Sequence, residues 1–131
     1  MKKILLMIAF LSFALSASAK NCESCKALDK VANANFRSKE TVKKAQDLMM
    51  TFELSKNSKT RSLEIQSYLK LALKAVQADG TNFSSEYFYN FYDLNREAFN
   101  VEIEKMKEID KAIIIKSLNT TGEVRNTDDS K

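Results

Sequence analysis

The chain has 131 residues, a formal net charge of +4, no histidine, no proline and two glycines. Average usage would supply about 5% proline and 7% glycine, so a β-sandwich with its many tight turns is excluded. The expected fold is all-α: an antiparallel bundle of three or four helices with one long C-terminal helix. Without histidine no Ser-His-Asp or Cys-His arrangement and no His-based zinc site can be built.

In chain order, Lys2 and Lys3 precede an apolar run from Ile4 to Leu15, and Ala17-Ser18-Ala19 presents small residues at alternate positions. This resembles a bacterial secretory signal peptide. The apolar run is too short to span a bilayer comfortably. The resemblance implies cleavage after Ala19, export to the bacterial periplasm or beyond it, and no membrane span after leader cleavage. Lys20 and Asn21 before Cys22 are not the small apolar residues of a lipoprotein cleavage site. Without Lys2 and Lys3 the chain keeps 19 basic and 17 acidic residues, a net +2. That balance, interspersed along the chain, is not that of a nucleic-acid binder. The expected organisation is a leader over 1–19, one helical bundle domain over 20–118 and a disordered tail over 119–131.

Cys22-Glu23-Ser24-Cys25 opens the expected mature chain. In an oxidising compartment the pair is a disulfide or a redox candidate. A bridge across so small a loop removes little chain entropy compared with one closing a long loop. The C-x-x-C spacing resembles that of thioredoxin-like proteins over these four residues alone. That fold needs a βαβ pattern and a cis-proline, and this chain has no proline. With Lys26 the run becomes C-E-S-C-K, similar to the lysine-ligated haem motif of multihaem cytochrome c nitrite reductases, which also carry histidine-ligated haems. Met49, Met50 and Met106 are soft enough for Cu(I), but methionine at helical spacing ordinarily fills cores. No cofactor and no metal is expected.

Cys25, Leu28, Val31, Ala32 and Phe36 share a helical face, and Val42, Ala45, Leu48, Met49 and Phe52 share a second. Asn33, Asn35 and Ser38 between them favour a break, and one continuous helix to Leu54 is the alternative. The basic stretch Ser55–Lys59 reads as a solvated connection. From Thr60 to Ala78, Ile65, Tyr68, Leu69, Ala72, Leu73 and Val76 line one side, with Ser67, Lys70, Lys74 and Gln77 opposite. Gly80 suits a left-handed C-cap.

Ser84 to Lys116 predicts a single helix of roughly 50 Å against which the rest packs. Its core row holds Phe88, Phe91, Tyr92, Phe99, Ile103, Met106, Ile109 and Ile113. The apolar sector covers near half the circumference, wider than the stripe of about 100° that one partner needs. Asn95 and Glu102 interrupt it as buried polar candidates, either at a watered edge or as an internal polar contact. Tyr89 is expected at the flank, near Leu71 or solvent.

A long helix overhanging shorter neighbours would expose apolar residues to a partner or to a second copy. The partner-binding candidates are therefore Tyr87, Tyr89, Ile114, Ile115 and Leu118. No acid/base pair of carboxylates stands out, so the expected function is non-catalytic binding of another protein, or self-association. The alternative is a thiol-redox, cofactor or metal carrier using Cys22 and Cys25.

Overall fold

The computed structural model describes residues 22–79 and 83–129, with side chains as far as Val124 in the last helix. The expected leader over 1–19, its cleavage site and the Gly80 cap lie outside the described residues. Among the described residues there are six helices and no strand. They are α1 (Glu23–Ala32), α2 (Lys39–Thr51), α3 (Ser58–Ala78), α4 (Phe83–Leu94), α5 (Arg96–Glu104) and α6 (Glu108–Asp129). The all-α expectation holds, with six helices in place of three or four.

The centre is α3, which packs against α1, α2, α4, α5 and α6. Ile65, Tyr68, Leu69, Leu71, Ala72 and Ala75 are all buried in it. A helix apolar on most sides belongs inside a domain rather than at its surface. Ser67, expected on the solvent side, is buried too. The Asn57 side chain caps α3 by accepting from the amides of Lys59 and Thr60 at 3.1 and 3.2 Å. This draws the helix start to Ser58, inside the stretch expected to be a connection.

Tyr68 is the hinge of the core. Its ring stacks on Phe91 at 4.3 Å between centroids and meets Phe99 edge-on at 5.7 Å. Phe88 and Phe52 close the cluster at 6.3 and 6.1 Å. The Tyr68 hydroxyl donates to the Met49 carbonyl at 3.1 Å, which satisfies a group in the last turn of α2. Burial pushes its phenol far above the ordinary tyrosine value, so it remains a neutral donor.

Residues 22–54 form two helices rather than one. The break lies at Asn33–Ser38, where the Asn35 side chain accepts from the Arg37 amide at 3.0 Å. Such local side-chain bonding competes with a helical backbone.

The single helix over Ser84–Lys116 is not formed. It divides at Asn95 and again at Lys105–Lys107. Asn95 leaves the helical region, with φ −138° and ψ 34°. Its side-chain amide donates to the Phe91 carbonyl at 2.9 Å and its backbone amide to Tyr92 at 2.9 Å, closing the end of α4. At the second break the amides of Lys105 and Met106 bond back to Glu102 and Ile103, the tighter spacing that ends a helix.

Each break resets the helical phase. Phe99 and Ile103 keep their expected burial, but Ile109 is 78% exposed and Ile114 takes the core position in α6. The helix then continues to Asp129, so residues 119–129 are helical where the pattern predicts a disordered tail. Thr121 is buried, and Ser117 on the same helix meets Ser85 of α4 at 3.1 Å. These contacts hold α6 where apolar periodicity has faded.

Candidate functional site

The structure brings some of the candidate residues together and separates the others. Cys22 and Cys25 are joined as a disulfide, with Cα atoms 5.2 Å apart. Cys22 is the N-cap of α1, and its sulfur accepts from the Cys25 amide at 3.2 Å. Both residues are buried, at 5% and 4% exposure. The bridge therefore fixes the first turn of α1 as it docks.

Glu102 is buried and paired. Its carboxylate accepts from the Gln66 amide at 2.8 Å and from Lys105 Nζ at 3.2 and 3.1 Å. Burial pushes its pKa up, but the hydrogen bonds from Gln66, Lys105 and Ser62 and the Lys105 charge outweigh that. The net position is below the ordinary carboxylate value. Asn95 does not join it; it marks the helix break seven residues earlier.

The single helix expected to overhang its neighbours is divided among α4, α5 and α6. Ile114, at 0% exposure, belongs to the core, whereas Leu118, at 8%, lines with Tyr89 and Ile115 a depression of about 370 Å³ between α4, α5 and α6. Ile115 is 38% exposed. Tyr89 is half-buried and meets α6, where a Cβ on Gly122 would sit 3.4 Å from its ring. Its hydroxyl also takes a hydrogen bond from the Arg96 guanidinium at 3.4 Å.

Tyr87 lines a separate, apolar trough, which runs between α2 and α4. Two adjoining depressions share Met50 and Tyr87. One, of about 680 Å³, is walled by Val42 and Phe83 and rimmed by Lys39, Lys43 and Asp47. The other, of about 320 Å³, is bounded by Met49, Phe91 and Leu94. Met50 and Phe83 are each 53% exposed and Leu94 is 83% exposed. The Phe83 and Tyr87 rings stack at 6.5 Å.

A polar frame borders the trough. Gln46 Nε2 donates to Asp79 Oδ2 and to Ser84 Oγ, both at 3.0 Å, and the same Asp79 oxygen accepts the Ser84 amide at 2.9 Å. This joins α2, the end of α3 and the start of α4. The negative carboxylate sits against the positive end of α4.

The chain matches no family model, no curated protein and no solved structure. What the site can do therefore follows from its own chemistry. Among the described residues no three histidine, cysteine or acidic side chains gather as a metal site, and none of their helices is long and apolar enough to cross a membrane.

Met50, Phe83 and Leu94 were missed by sequence reasoning. Met50 lies off the apolar face of α2, and Leu94 is the last residue of α4, exposed where the helix expected to be continuous ends. The adjacent pair Met49-Met50 was the available signal, since successive residues on a helix point about 100° apart and a narrow apolar face takes only one of them.

Proposed function

We propose that this chain is a small exported helical protein that binds another protein and is not an enzyme. It would serve as an envelope accessory factor, a chaperone-like protein or an inhibitor. The observation that carries this reading is the α2–α4 trough with Met50, Phe83 and Leu94 exposed around it. Single exposed apolar residues are ordinary. Three along two adjoining depressions, with the Phe83 ring stacked on Tyr87, supply the kind of surface on which a partner helix lays its apolar face.

A photo-crosslinking residue at Leu94 tests this in producing cells, with the same residue at Lys30 of α1 as control. A discrete adduct from position 94 and none from position 30 is the expected result. No adduct from either position, together with a monomeric purified protein, overturns the reading. An adduct of twice the chain mass identifies self-association.

The second reading is a redox or cofactor carrier. It draws on Cys22 at the N-cap of α1, where a thiolate would meet unpaired amides and the positive end of the helix. The burial of both sulfurs disfavours exchange with a macromolecular partner. Replacing both cysteines with serine separates the two readings, since binding through the trough survives the change and a carrier loses all activity. A visible absorption spectrum of the purified protein decides the haem variant.

A further inference from the structure

A second groove lies between α3 and the α5–α6 junction and shares no residue with the α2–α4 trough. Its volume is about 480 Å³, inside the range of roughly 300–1,000 Å³ usual for small-molecule sites. Leu69, Leu73 and Met106 supply its apolar surface. Leu69 is 2% exposed, so the floor is continuous with the core.

Its rim is basic: Lys70, Lys105 and Lys107 surround the apolar strip. Two carboxylates also line it, Glu102 and Asp110. Glu102 is already satisfied by Lys105 and Gln66. Lys70 and Lys107 make no side-chain hydrogen bond or salt bridge among the described residues. With Asp110 set against them, the groove keeps one positive charge uncompensated.

An apolar strip bordered by unpaired ammonium groups is complementary to a molecule with an alkyl tail and an anionic head. We propose that this groove binds a single free long-chain carboxylate. The tail lies along Leu69, Leu73 and Met106, and the head group is held by Lys70 and Lys107.

Calorimetric titration of the purified chain with dodecanoate, below its micellar concentration, tests the proposal. Saturable one-site binding is expected, at least tenfold tighter than for dodecyl maltoside or dodecyltrimethylammonium, which share the tail but not the charge. The double substitution Lys70→Glu and Lys107→Glu should weaken dodecanoate at least tenfold while leaving the helical circular dichroism unchanged. Methyl shifts of Leu69, Leu73 and Met106 in the unaltered protein locate the ligand without relying on the variant. Equal binding of the three amphiphiles, or dodecanoate shifts confined to other methyl groups, overturns the proposal. So does binding only to phosphatidylglycerol vesicles with no uptake of the free carboxylate.

Discussion

Glu102 shows what a buried carboxylate needs. Its side chain is 4% exposed beside a 61% exposed Lys105. Left alone it would take up a proton or destabilise the fold by several kcal/mol; with Gln66, Ser62 and Lys105 around it, the charged form wins and its pKa is lowered. A group depressed in the folded state contributes stability above its unfolded value, and that contribution is lost as pH falls through the folded value. Glu102→Gln should therefore cost about 1–3 kcal/mol at pH 7. The gap to the unaltered protein should close as the pH is taken well below the ordinary value of 4.5. Urea unfolding at neutral and acid pH reads both numbers, and a gap independent of pH would remove the charge from the explanation. That Glu102 required a partner was legible from its place in an apolar sector. That the partner is Gln66, 36 positions earlier, was not, because it depends on how α3 crosses α5.

At the scale of elements, the decisive event is the division of the expected long helix. Helical periodicity over Ser84–Lys116 was real, and most of the segment is helical. The pattern could not show where the phase slips. The wide apolar sector was the clue: three successive helices, each with its own buried face, project onto one helical wheel as a single broad sector. Asn95 then tests the break directly. In a continuous helix Asn95→Ala would gain stability through the better propensity of alanine, by up to about 0.7 kcal/mol. Here the side-chain amide closes the end of α4 on the Phe91 carbonyl, so the substitution should lose about 0.5–1.5 kcal/mol. Thermal unfolding gives the sign. The bridge between Cys22 and Cys25 is local by the same logic. Closing so short a loop contributes at most about 2 kcal/mol in the chain-entropy account. Replacing both cysteines with serine should raise amide exchange in the first turn of α1 and leave the exchange of α3 unchanged.

For the molecule as a whole, burial competes with helix continuity. A straight helix of about 50 Å would leave much of its apolar face beyond the reach of neighbours. Turning at Asn95 and again at Lys105–Lys107 returns Phe99, Ile103, Ile114 and Leu118 to the core around Tyr68. The helix breaks trade a few backbone hydrogen bonds for four buried apolar side chains, each of which gains about 1.5–3 kcal/mol by leaving water. Because that folding back takes Ile114 inward, the proposed partner surface is built from residues the core does not use, Met50, Phe83 and Leu94. The distinction makes a sharp prediction. Met50→Lys with Leu94→Lys removes apolar surface that is already hydrated, so the unfolding free energy should stay within about 0.5 kcal/mol per site. Ile114→Lys, which places an ammonium group in the core, should unfold the chain or cost about 4 kcal/mol or more. Crosslinking from a probe at Phe83 should disappear in the doubly substituted but fully folded protein. Persistence of the adduct there would mean that the trough is not the contact surface, whatever the stability of the variant.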